Sequence, residues 1–280
     1  MQVSDEERYH FDLTGFLILR GAIETDLVKA LDDAVVANES IDHDESWLET
    51  TPEVTLQTLI RYYGENFQIK DMHTEYQTRL NGLQRLDPAF DSLVAHPRIL
   101  PYLQTFMKDP QFVNGWSISK YEGRAATGWH AGLKVEEYSV DGGIIHSPMV
   151  NVVTMLTSNH PGDGCFGVMP GSHKRNFTLD GERWGQAGLE APGAVEITGD
   201  PGDVMIFSEA LLHAGMTKTS KRRRTTLQYN HVDRARINLM ADLQNVRHFW
   251  MPPAVRERFS PAQKKLTDWM EIMPEPRSLA

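Results

Sequence analysis

A change of period near residue 110 limits the fold of this chain more than any other feature of it. Downstream of it, short apolar runs recur at 112–121, 149–156, 193–197, 203–207 and 225–231. Between them stand Pro161-Gly162-Asp163-Gly164, Pro170-Gly171-Ser172 and Pro201-Gly202-Asp203. Proline presets φ, glycine accepts positive φ, and aspartate bonds its own backbone, so each cluster marks a reversal of the chain. Runs of this length between such turns predict strands. Upstream, residues 15–20 read as a strand, and Thr25 caps a helix of about fifteen residues with Leu27, Val28, Leu31, Ala34 and Val35 along it. Asp87-Pro88 reads as an N-cap followed by proline at the first helical position, with helical pattern to about 107. Residues 41–85 show no pattern that orders them. Helices followed by many short strands predict a mainly β fold, a cupin-like jelly roll (double-stranded β-helix) buttressed by α-helices from the N-terminal third.

The expected organisation is one domain over 1–280, with a helical part to about 110 and a tail from about 236 packed on the barrel. The balance of 28 basic against 38 acidic residues gives a net charge of −10, which argues against binding a nucleic-acid polymer. A single cysteine, Cys165, excludes a disulfide framework within the chain and fits a reducing cytoplasm. The acidic opening segment has no apolar core of a signal peptide, and no apolar run is long enough to span a membrane.

Two of the eleven histidines stand out by their surroundings. His130 follows a strand and a turn in Thr127-Gly128-Trp129-His130-Ala131-Gly132, and His213 follows the strand that Pro201-Gly202-Asp203 begins. Arg224 opens the next strand. In a jelly roll the two histidines can meet at the barrel mouth, where neutral imidazoles suit Fe, Zn or Cu. A barrel-facing arginine suits a dicarboxylate held by two parallel hydrogen bonds.

The ordered set His130-x-Gly132, residues 161–174 with their Pro-Gly-Ser-His turn, Pro201-Gly202-Asp203, His213 and Arg224 resembles the phytanoyl-CoA dioxygenase-like family. The opening Tyr9-His10-Phe11-Asp12-Leu13-Thr14-Gly15-Phe16-Leu17 is similar to that family's first segment, and the resemblance covers most of 7–235. It implies an iron(II)/2-oxoglutarate enzyme that uses dioxygen, with His130 and His213 on iron and Arg224 on the cosubstrate. His173, in the Pro-Gly-Ser-His turn, is expected to be structural. His146 and Ser117 are the further candidates for the cosubstrate pocket, with Ser119 beside Ser117.

The departure from the family pattern His-x-Asp is Gly132, which stands where an aspartate ligand is expected. Losing one negative ligand leaves the metal more positive and leaves room for a monatomic anion. This resembles the halogenase branch, in which chloride binds iron at that position and chlorine is transferred to an unactivated C–H carbon. A hydroxylase whose third ligand comes from Glu136, Glu137 or Asp141 stays open, and so does a jelly-roll binding protein without iron. The expected substrate is a free small molecule, with an adenine nucleotide as the specific expectation that the halogenase resemblance implies. Tyr62, Tyr63, Trp116 and Phe166 are candidates to stack a base, and Arg61, Arg79, Lys174, Arg175 and Arg223 to meet an anion. The oligomeric state is left open.

Overall fold

The computed structural model describes residues 2–39, 73–178, 180–239 and 253–271. The expectations for Arg61, Tyr62 and Tyr63 lie outside them. The strands are β1 (Phe16–Leu19), β2 (His73–Thr74), β3 (Gln77–Asn81), β4 (Pro110–Lys120), β5 (Ser139–Asp141), β6 (Ile144–His146), β7 (Met149–Met155), β8 (Phe166–Val168), β9 (Val195–Ile197), β10 (Val204–Ser208), β11 (His213–Gly215) and β12 (Arg224–Asp233). The helices are α1 (Asp5–Thr14), α2 (Thr25–Glu39), α3 (Leu83–Leu86), α4 (Leu100–Phe106), α5 (Gly181–Trp184), α6 (Arg234–Leu239), α7 (Pro253–Glu257) and α8 (Pro261–Leu266).

The fold is the expected jelly roll. A large antiparallel sheet runs β1-β10-β7-β12-β4-β3-β2 and faces a small one, β11-β8-β9. A reciprocal backbone pair between His130 and His213 lays the His130 segment along the outer edge of β11. Side chains alternate across the large sheet, as strand geometry requires. Met205, Phe207, Val153 and Met155 join Phe166, Val168 and Ile197 of the small sheet in an inner core. Val204, Ile206, Val150 and Val152 join the helices in an outer one. With both faces covered, Val204-Met205-Ile206-Phe207 reads as a continuous apolar run, although the sheet is antiparallel.

The N-terminal and C-terminal helices pack on the outer core. Along α2, Val28, Leu31, Ala34 and Val35 make the buried face. Ser4 and Glu7 cap α1 reciprocally, and α1 ends at Gly15 with φ +86°. Phe11 then stacks on Phe106 of α4 at 3.8 Å and 7°. Asp87 caps its helix as expected, with Pro88 in the first turn, but that turn is a 3-10 helix over Pro88–Leu93, separate from α4. In the C-terminal part, Val255, Phe259, Leu266 and Trp269 belong to the same outer core. No helix among the described residues is long and apolar enough to cross a membrane.

Candidate metal and cosubstrate site

The chain brings His130 and His213 together. Their backbones exchange both hydrogen bonds, at 3.0 and 2.9 Å, and their ring centroids lie 4.3 Å apart. His130 is exposed and His213 is buried, so the pair sits at the barrel mouth with one ring outside and one inside. Nδ1 of His130 bonds the Gly128 carbonyl and Nδ1 of His213 the Leu211 carbonyl, each at 2.8 Å. Those bonds fix the rings in the tautomer that leaves Nε2 free to bind a metal. Phe166 stacks on His213 at 5.3 Å and 13°, and Phe207 meets it edge-on at 4.9 Å. Burial, reinforced by the neighbouring His130, pulls the His213 imidazole down to about 3, so it is neutral and ready to donate its lone pair. This donor set fits a divalent first-row metal.

The Pro-Gly-Ser-His turn braces this pair from behind. Ser172 Oγ accepts the Leu212 N–H at 2.8 Å, next to His213. His173 is buried, bonds the Asp12 carbonyl through Nε2 at 3.0 Å and stands edge-on to Tyr138. A Cβ on Gly15 would lie 2.6 Å from its Nδ1, so α1 docks this closely only because residue 15 is glycine.

Arg224 opens β12 and is buried. Its Nε donates to Asn159 Oδ1 at 2.5 Å and its Nη1 to Thr226 Oγ1 at 3.2 Å, both neutral oxygens. Burial pulls the guanidinium down to about 10, with Cys165, Asp163 and Glu196 opposing, so it stays charged at neutral pH. Lys120 lies opposite it across the β12–β4 pair. The Lys120 ammonium bonds the Gly164 carbonyl at 3.0 Å, and a Cβ on Gly215 would lie 2.5 Å from it. Burial and the neighbouring Arg224 and Arg124 pull Lys120 down to about 7. The Lys120 side chain thus stands by Gly215, two residues or about 7 Å along β11 from His213, with Arg224 its partner across the strand pair. That makes a candidate anion site near the histidine pair, of which reading the sequence found only the Arg224 half. The alternation along β4 could have revealed Lys120.

Several expected site residues are elsewhere. Ser117 pairs with Leu227, so both face the outer core. Its Oγ accepts the Leu80 N–H at 3.3 Å, and the register of β4 turns it away from the barrel interior. Ser119 shares that face and bonds Thr225 at 2.7 Å. His146 is captured by Asp233 at 2.6 Å and lines a separate pocket of about 340 Å³ with Lys108, Glu137 and Arg236, not the histidine site. Glu137 pairs with Arg236 and caps Lys134, while Glu136 and Asp141 are exposed. Arg223 pairs with Asp32 and Lys174 with Asp12, while Arg79 lies over Trp116 at 5.0 Å. Among the described residues, no three His, Cys, Asp or Glu side chains stand together as a metal-binding group.

The acid nearest Gly132 is one the sequence did not single out. Glu209 is buried. Its Oε2 accepts the Gly132 N–H at 3.1 Å, and Oε1 accepts from Asn151. Burial pushes its carboxyl up to about 7 against those two bonds. On the other side of the histidines, Trp129, Met169, Arg175, Asp180, Trp184 and Leu212 line a pocket of about 200 Å³. Trp129 and Leu212 are the chain neighbours of His130 and His213.

A family model described as phytanoyl-CoA dioxygenase (PhyH) matches residues 11–226. Dioxygenase lolE1 of Epichloe uncinata is 29% identical over 106 residues, which are 37% of this chain and 41% of that protein. The match therefore spans about two fifths of the relative's length. Among solved structures, HygX from Streptomyces hygroscopicus with nickel and 2-oxoglutarate bound superposes with a TM-score of 0.65 at 20% identity, over 82% of this chain and 87% of that one. HygX with hygromycin B also bound gives 0.62 at 20% identity, over 82% and 88%. The 2-oxoglutarate-dependent carbocyclase SnoK from nogalamycin biosynthesis gives 0.56 at 18% identity, over 82% and 84%.

Proposed function

This chain belongs to the phytanoyl-CoA dioxygenase family of Fe(II)/2-oxoglutarate-dependent oxygenases, and on that premise we propose that it oxidises an unactivated C–H bond of a free small molecule at the expense of 2-oxoglutarate and dioxygen. The observation that carries this reading is the His130–His213 pair, with both Nδ1 atoms tied back to carbonyls, beside the buried cations Arg224 and Lys120. Iron(II) bound there with 2-oxoglutarate supplies the reductive activation of dioxygen, one oxygen atom ending in succinate and the other available to the substrate.

The protein's own part is positional. His130 and His213 hold the metal through Nε2, and their backbone pair fixes the distance between them. Arg224 grips the far carboxylate of 2-oxoglutarate with its planar fork, and Lys120 adds charge there. Burial of both cations keeps water from competing for the carboxylate. The pocket lined by Trp129 and Trp184, next along the chain to the histidine pair through Trp129 and Leu212, is the part of the surface we assign to the substrate. Its two indoles and Arg175 suit a planar, anionic molecule such as an adenine nucleotide. HygX with hygromycin B bound supports a free small molecule as the substrate class.

Which oxidation results would depend on what stands beside Gly132. Hydroxylation or a related oxidation is favoured by the Glu209 carboxylate there. Chlorination, with chloride on the metal, is favoured by the glycine itself, which brings no ligand of its own. The test is succinate formation from 2-oxoglutarate under air with candidate substrates, in chloride-free and chloride-containing buffer. Oxygen- and iron-dependent succinate lost in His213→Ala supports the oxygenase. Product formation that requires chloride selects chlorination. Absence of succinate under every condition contradicts both.

A further inference from the structure

The aspartate that Gly132 replaces has not left this site without an acid. An ideal Cβ built on Gly132 would overlap Glu209 Oε2, with Glu209 Cδ at 3.2 Å. The backbone holds the two residues in place, since the Gly132 and Leu133 N–H groups both donate to the Glu209 carbonyl, at 2.8 and 3.1 Å. Any side chain at position 132 would displace the carboxylate, and only glycine admits it.

From this we infer that Glu209 is the anionic metal ligand of this chain, reaching from the turn after β10 into the space that an aspartate at position 132 would fill. The inference rests on the metal centre proposed above and says how that centre is completed. Glu209 is 5% exposed, and its carboxylate oxygens accept from two neutral amides, Gly132 N–H and Asn151 Nδ2. A carboxylate buried among neutral donors lacks a counter-charge, and a divalent cation beside it would supply one. Glu209 also lies four residues before His213, on the segment that runs antiparallel to residues 130–132. Because no three-ligand group is assembled among the described residues, metal binding includes a rotation of the Glu209 side chain toward the Nε2 atoms. The completed triad holds two imidazoles and a carboxylate, so the position left open by Gly132 is filled by Glu209 rather than by chloride.

The test is anaerobic binding of cobalt(II) to the full chain, read by calorimetry and by the visible ligand-field bands, with no turnover involved. Changes to groups that only support metal ligands cost 10–100-fold in affinity as a rule. Glu209→Gln, close in shape, and Glu209→Ala are each expected to weaken cobalt binding by more than about 100-fold. With 2-oxoglutarate also bound, the bands of Glu209→Ala should shift at clearly lower chloride concentrations than those of the wild type. The double variant Gly132→Asp/Glu209→Ala moves the acid back to position 132 and should recover both the affinity and the wild-type chloride response. Thermal unfolding of each apo variant confirms that it is folded. Glu209 variants that bind cobalt within about threefold of wild type, with the same chloride response as the wild type, overturn the inference while leaving the centre intact. Cobalt binding unchanged in His130→Ala overturns the metal centre itself.

Discussion

Arg224 is buried with its hydrogen bonds on neutral oxygens, an arrangement that is costly without an anion. Arg224→Lys keeps a charge but loses the fork. It should raise the KM for 2-oxoglutarate by at least about tenfold, and Arg224→Ala by about 100-fold or more, seen in steady-state succinate formation. Asp203 shows the same economy in a structural role. Burial raises its carboxyl, but the N–H groups of Asp200 and Gly21 together with Arg20 win, and the result lies below the usual carboxylate value. Its contribution is therefore complete above the unfolded-state value near 3.8 and is lost as pH falls through the lower folded-state value. Asp203→Ala should cost about 2–3 kcal/mol at neutral pH in urea denaturation, and the loss should shrink toward zero in strong acid. His130, Gly132, His213 and Arg224 were legible because turn motifs frame them. Glu209 was not, because a single acid four residues before a histidine reads as a surface charge until burial is known. Ser117 was misplaced for a simpler reason: one residue of register decides which face of a strand looks inward.

At the scale of elements, the long strands were legible, and so were the short β1 and β9, but other short ones were not. The strands β4, β7, β10 and β12 each carry an apolar run bounded by turns. By contrast β8 and β11 are three residues each, too short for any period to show, and β11 holds His213 itself. Helix α1 had a readable signal in Ser4 and Glu7, the reciprocal cap, which the acidic character of the opening segment obscured. That helix matters to the site because its carbonyls receive His173 and the Gly171 N–H, and the same turn supports the backbone before His213. Phe11→Ala removes the ring stacked on Phe106 and should cost about 3–5 kcal/mol. A broader thermal transition and weaker 2-oxoglutarate binding should accompany it. A variant with wild-type melting would show that α1 is not part of the cooperative unit.

Across the whole molecule, the jelly roll is asymmetric: one sheet is much larger than the other and is packed against helices on its outer face. The C-terminal part belongs to this packing, since Trp269 is 5% exposed and its Nε1 donates to the Phe112 carbonyl at 2.9 Å. Trp269→Ala should destabilise the entire fold by about 3–5 kcal/mol, visible as a single lowered transition in calorimetry. Two transitions would instead mark the C-terminal helices as an independent unit. The fold class followed from turn spacing, whereas the pairing of sequence-distant strands that joins His130 to His213 is set by tertiary structure. The central claim is that this pairing builds an iron/2-oxoglutarate centre. Its most direct test is anaerobic titration of the apo-protein with iron(II) and 2-oxoglutarate, following the metal-to-ligand charge-transfer band in the visible. The account predicts a saturable band at one iron per chain that disappears in His213→Ala and needs far more 2-oxoglutarate in Arg224→Ala. No band in the wild type, or the same band in His213→Ala, would contradict it.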